Sequence, residues 1–185
     1  LLKGKILWLV GCGNVGKLGA EKVQAFGVKT IYYDIFRVNV ELEQKLGLSF
    51  VSLDELYSTS DIISIHVPAI DSTIGMVGRR QFKMMKPNAL IINTARGSVI
   101  NESDLIEALK NKQLFGAALD SFEKEPLQKD SPLLSLDNVI LTPHIGGSTR
   151  DINDEMIDCV LGNILKMYNN EKIPHKMIVN TQYLK

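Results

Sequence analysis

An α/β fold built on a doubly wound parallel sheet is predicted for this 185-residue chain by three observations. Short β-rich apolar segments alternate with helical patterns, several of those segments are apolar almost without interruption, and a glycine-spaced turn joins the first of them to the first helix. That alternation describes three α/β/α layers with the sheet covered on both faces.

Strands are expected at about 5–10, 29–33, 61–67, 89–94, 115–120 and 138–142. Ile62-Ile63-Ser64-Ile65-His66-Val67 and Ala89-Leu90-Ile91-Ile92 lack the alternation of a half-exposed strand and read as hidden on both faces. The first helix is expected to bury Leu18, Val23 and Phe26 with the small Ala20 and Ala25, and to stop at Gly27. Asn101 with Asp104 forms an acidic variant of a capping box ahead of Leu105, Ile106, Ala108 and Leu109, which share a face before Lys110 and Lys112. After Gly146-Gly147, Ser148 and Asp151 are expected to cap a longer helix. Its Ile152, Met156, Val160, Ile164 and Met167 recur near every fourth residue up to Asn169-Asn170 and Pro174, an apolar face that needs a partner. No repeat or linker divides the chain, so residues 1–150 form one domain and 151–185 a trailing helix and tail.

Gly11-Cys-Gly13-Asn-Val-Gly16 lies between the first strand and the first helix. Each glycine has a physical reason to be there. Gly11 makes the tight turn, Gly13 admits a pyrophosphate close to the backbone, and Gly16 lets the helix pack closely while its amides face the anion. This is a Rossmann-type dinucleotide signature. Asp34 follows at the end of the second strand, about twenty residues on, where a carboxylate accepts the adenosine ribose hydroxyls and repels a 2′-phosphate. NAD is therefore favoured over NADP, and Arg37 is read as a solvated surface charge.

Composition narrows the partners. Hydrophobic residues make up 45% and charged residues 23%, enough for an ordinary core, and 21 basic residues balance 21 acidic ones. Zero net charge offers no general attraction to nucleic acid or anionic lipid, and no apolar run is long enough to span a bilayer. Cys12 and Cys159 lack metal-site spacing and fit a reducing, cytoplasmic setting; both are expected to pack apolarly, as are Met84 and Met85. No metal site is expected.

In a doubly wound sheet the crevice lies beyond the carboxyl ends of the strands. Three motifs fall there: Asn93-Thr-Ala-Arg96-Gly97, Asp120-Ser-Phe-Glu-Lys-Glu125-Pro126 and Thr142-Pro-His144-Ile-Gly-Gly-Ser-Thr149. Together with the glycine turn they resemble the cofactor-binding domain of the D-isomer-specific 2-hydroxyacid dehydrogenases, the family that includes D-3-phosphoglycerate dehydrogenase. The resemblance runs from Leu2 to Val179-Asn180.

It implies that Arg96 binds the substrate carboxylate, that His144 exchanges the proton and that Glu125 supports His144. It also implies NAD contacts from Gly11, Gly13, Asn14, Val15, Gly16, Asp34, Val67, Thr94, Ala95, Arg96, Asp120, His144, Gly146 and Gly147, with Asp120 on the nicotinamide side. These roles suit the side chains. A guanidinium grips a carboxylate through two parallel hydrogen bonds, and a histidine oriented by a carboxylate can move a proton near neutral pH. His66 is read as structural and His175 as exposed. Trp8, Cys12 and Met76-Val77 depart from the family's usual residues without touching the proposed catalytic set.

The family's substrate pocket also uses a lobe that precedes the cofactor domain. With Leu1 as its first residue, this chain is expected to be a fragment or truncated product of a homodimeric or larger parent, its final helix meant to pack toward that lobe. The Gly-Gly-Ser-Thr after His144 looks most like phosphoglycerate dehydrogenases, and hence serine biosynthesis, with glyoxylate and hydroxypyruvate reductases as alternatives for a small 2-hydroxy or 2-oxo acid substrate. From another class, the family also resembles NAD-responsive transcriptional corepressors, which keep the same three residues.

Overall fold

The computed structural model describes residues 1–178. Seven strands form one parallel sheet: β1 (Ile6–Val10), β2 (Lys29–Tyr33), β3 (Leu48–Phe50), β4 (Ile62–Ile65), β5 (Leu90–Asn93), β6 (Gly116–Leu119) and β7 (Val139–Leu141). Their order, β3-β2-β1-β4-β5-β6-β7, reverses direction between β1 and β4. That reversal opens a crevice at the carboxyl ends of those two strands.

β1 is sealed on both faces. Trp8 and Val10 belong to one buried cluster and Leu7 and Leu9 to another, as the twofold alternation of a strand requires. The first cluster takes in Leu56 and Tyr57 from helix α3 (Leu53–Thr59), Phe82 from α4 (Arg79–Met84) and Leu105 and Leu109 from α5 (Glu102–Lys110). The second takes Ala20 from α1 (Asn14–Gln24) and Leu46 from α2 (Val40–Leu46). These two helix groups are the outer layers of the doubly wound α/β/α architecture. β5 is different: Ile91 is buried, but Leu90 and Ile92 are half-exposed and line an apolar groove of about 720 Å³ with Phe115, Ala118 and Ile140. The expectation that this strand is hidden on both faces is corrected on that side.

Local chemistry sets the helix ends. Asn39 accepts the Leu42 amide at 2.8 Å and Gly47 adopts a left-handed φ of 59°, bracketing α2 and leading into β3. Neither α2 nor β3 was expected from the sequence. α1 ends at Gln24, with Gly27 (φ 68°) completing the turn, and its expected stripe is corrected: Ala20 is buried and Val23 half-buried, whereas Leu18, Ala25 and Phe26 are exposed. Asn101 caps α5 by accepting the Asp104 amide at 2.9 Å. The Asp104 carboxylate does not complete a capping box; it turns to the Arg79 amide and guanidinium on α4, where it meets a charge.

The chain divides into two compact units, Leu1–His144 and the segment from Ile145 onward. In the second, α6 (Arg150–Tyr168) is capped by Thr149, whose hydroxyl accepts the Ile152 amide at 3.3 Å. The cap therefore sits one residue later than the expected Ser148, because the residue flanking the first helical position is the one that can reach that amide. Ile152, Met156, Val160, Ile164 and Met167 on α6 are exposed. Cys159 is exposed as well, which corrects its expected core position. Val179-Asn180, the end of the family resemblance, lie outside the described residues. Among the described residues no helix is long and apolar enough to cross a membrane.

Candidate active site

The glycine turn is shaped as its spacing predicts. Gly11 has a φ of 92°, and a Cβ there would stand 2.9 Å from the Val67 side chain and 3.0 Å from the His66 carbonyl carbon. A Cβ at Gly16 would lie 2.7 Å from the Gly11 carbonyl oxygen, so only glycine lets α1 start this close to the turn. Around Gly13 the space is open, with no described residue within 4 Å of a Cβ, and α1 starts after Gly13 with no side-chain cap among the described residues. This is a cradle shaped for a pyrophosphate. Asp34 is tied to the turn: one carboxylate oxygen accepts the Cys12 amide at 2.7 Å and the other accepts the Phe36 amide at 3.0 Å. Nothing local in the sequence marks the Cys12 bond, since it joins turn and strand end across 22 residues. Cys12 packs among Leu9, Ala20 and Tyr32 as expected, and burial pushes its thiol up to about 11.

Across the crevice, Val15, Val67, Thr94, Ala95 and Arg96 line one cleft of about 480 Å³ with His66 and Pro68. His66 is held through Nε2 by Ser64 Oγ at 2.9 Å, and burial lowers its pKa, which suits the structural reading. The buried Asn93 side chain shapes the Arg96 turn, accepting the Ala95 amide and donating to the Arg96 carbonyl, both at 3.0 Å. Gly97 then lies so near the next loop that a Cβ would fall 1.9 Å from the Phe122 carbonyl carbon. Asn93 and Gly97 stand inside the quoted motif, but their supporting roles are visible only in three dimensions.

The strand ends are stitched together, with the Asp120 amide donating to Asn93 O at 2.9 Å and the Thr142 amide to Leu119 O at 3.0 Å. Asp120 is buried and accepts the Thr142 hydroxyl. Glu125 and His144 meet as their motifs imply, with Glu125 Oε2 2.7 Å from His144 Nδ1. The other Glu125 oxygen accepts the Phe122 amide at 3.0 Å. The hydrogen bond with His144 holds the Glu125 carboxyl below its ordinary range, helped by the Phe122 amide and, more weakly, by the charge of Arg96. His144 itself adopts a left-handed φ of 56°, an uncommon conformation for a side chain of its size. Gly146 and Gly147 belong to the second unit and are exposed there.

Residues 1–146 match the model of the family described as D-isomer specific 2-hydroxyacid dehydrogenase, NAD binding domain. The chain belongs to this family. It is 41% identical to a glyoxylate reductase of Thermococcus litoralis over 99% of this chain and 54% of that protein. It is 43% identical to a D-3-phosphoglycerate dehydrogenase of Archaeoglobus fulgidus over 81% of this chain and 28% of that protein. Among solved structures, a D-lactate dehydrogenase with NAD+ from Lactobacillus jensenii superposes with a TM-score of 0.83 at 33% identity, covering 91% of this chain and 54% of that one. The chain spans about half the length of the glyoxylate reductase and the D-lactate dehydrogenase. As in this family, NAD is the cofactor of the domain, and the turn, the open Gly13 cradle and Asp34 fit it.

Arg37 lies at the surface as the sequence reading has it, but its charge is paired: Nε and Nη2 donate to the two Glu43 oxygens at 2.8 and 2.9 Å, and the guanidinium lies 5.3 Å from the Phe50 ring centroid. Among the described residues no group of three or more His, Cys, Asp or Glu side chains is arranged to hold a metal ion.

Proposed function

We propose that this domain is the cofactor half of an NAD-dependent dehydrogenase that interconverts a small D-2-hydroxy acid and its 2-oxo acid. The observation that carries the reading is the Glu125–His144 hydrogen bond at the carboxyl end of the sheet, beside the cleft that holds Arg96. When bound, NADH supplies the hydride for the carbonyl carbon of the 2-oxo acid. Glu125 fixes the His144 ring through Nδ1 and leaves Nε2 to give a proton to the carbonyl oxygen, or to take it back in the reverse direction. Arg96 grips the carboxylate and polarises the neighbouring carbonyl. Asp34 orients the adenosine ribose, and Asp120, steadied by Thr142, faces the nicotinamide.

Residues 1–150 serve as the NAD-binding domain, and 151–185 carry α6 toward a lobe that supplies the remaining substrate contacts. The relatives' additional length supports this division. Glyoxylate and D-3-phosphoglycerate are the substrates to try first, by likeness to the two relatives; the second would place the enzyme in serine biosynthesis. A homodimer and a cytoplasmic setting belong to the same reading, supported by the exposed apolar residues of α6 and by two free thiols. The test is NADH oxidation by the natural full-length protein with a panel of 2-oxo acids. Turnover with at least one is expected. Tight NADH binding without turnover on any would replace this reading with that of a non-enzymatic, NAD-responsive interaction protein.

A further inference from the structure

We propose that Glu43 is a cofactor-specificity residue, which withholds the Arg37 guanidinium from the 2′-phosphate of NADP by pairing with it at two points. The inference rests on the NAD site described above. Asp34 directly follows β2, and its bond to the Phe36 amide turns the chain so that Arg37 comes next, beside the proposed ribose position. An arginine near this place accommodates a 2′-phosphate in dinucleotide folds. Here, though, its fork is matched to a carboxylate in the planar two-point geometry that a phosphate would otherwise take.

Three further contacts fix that commitment. Glu43 Oε1 also accepts the Tyr32 hydroxyl at 2.6 Å, and the Tyr32 oxygen accepts the Val38 amide at 3.0 Å, so the carboxylate is anchored to β2 and to the loop that bears Arg37. The Phe50 ring on β3 faces the guanidinium. The Glu43 side chain is 10% exposed against 58% for Arg37. Drawing Arg37 away would strand a nearly buried, ionised carboxylate, a costly state. Discrimination thus has two parts: Asp34 repels the 2′-phosphate, and Glu43 denies it a counter-cation.

The test is fluorescence titration of the 185-residue chain with NADH and NADPH. Glu43→Gln keeps an acceptor for Tyr32 but loses the charge, and NADPH affinity should rise about tenfold while NADH affinity stays within about twofold. Adding Arg37→Ala should cancel the gain. Arg37→Ala alone should leave the NADH-to-NADPH affinity ratio unchanged, and this variant decides the matter if Glu43→Gln does not fold. A folded Glu43→Gln with no gain, a gain that survives in the double variant, or a ratio that Arg37→Ala alone shifts about tenfold against NADPH would overturn the proposal. Failure of the unmodified chain to bind either dinucleotide would overturn the NAD site and this inference with it, whereas NADH binding without the predicted ratios overturns the inference alone.

Discussion

Glu125 Oε2 lies 2.7 Å from His144 Nδ1, while the second oxygen of the same carboxylate is tied to the Phe122 amide. The ring is thereby oriented by a group that is itself fixed, and on the proposed mechanism its Nε2 serves the substrate. Replacing His144 by Ala in the full-length protein should cut kcat about a hundredfold or more, with NADH affinity within about twofold. Glu125→Ala should do the same less severely. Equal loss of turnover and NADH affinity would argue against proton transfer by His144.

Asp34 holds the turn through the Cys12 amide and, on the proposed function, also the adenosine ribose, and two substitutions separate these roles. Asp34→Asn keeps an acceptor for the Cys12 amide but loses the charge. It should weaken NADH binding about tenfold and relax discrimination against NADPH, with little change in Tm. Asp34→Ala should in addition lower stability by about 1–3 kcal/mol, because the half-buried amide loses its partner. Thermal melts with dinucleotide titrations check both, and an unchanged cofactor preference in both variants would count against the ribose role.

Gly97 tolerates no side chain. An alanine Cβ would fall within bonding distance of the Phe122 carbonyl, so the loops bearing Arg96 and Glu125 would be forced apart. Gly97→Ala should cost about 3 kcal/mol or more, a fall of about 10 °C in Tm. A Tm within about 2 °C of the unmodified chain would contradict this packing.

The Glu43 ion pair predicts an acid limb of stability. Hydrogen bonds from Arg37 and then from Tyr32 lower the Glu43 pKa from 4.5 to about 2. A depressed carboxyl pKa contributes stability that is fully present above the ordinary value and lost as pH falls through the folded one. The Tm difference between the unmodified chain and Glu43→Gln should therefore be constant above pH 5, shrink below about 4.5 and vanish near 2. A difference independent of pH would show that Glu43 acts through packing rather than charge.

Six of the seven strands, the glycine turn and the three carboxyl-end motifs were legible in the sequence, because each is written in local signals: apolar runs, residues at fixed offsets and glycine where backbone must turn or approach. β3 and α2 are not legible, although Asn39 and Gly47 punctuate them, since a three-residue strand and a short helix leave little periodicity to read. The misread stripe of α1 and the exposed Cys159 have another cause. Periodicity identifies a helix's apolar face but not whether a neighbour lies against it.

The sequence by itself determined the family, the doubly wound parallel fold and the identity of the residues that meet at the strand ends. Only the tertiary structure decided their partners. The Cys12 amide on Asp34, the Asn93 turn under Arg96, the Gly97 contact with Phe122 and the capture of Arg37 by Glu43 are each set by how separate loops and strand ends come together in space. Hydrogen bonds and ion pairs depend on distances of a few tenths of an ångström, and those follow from packing rather than from residue order.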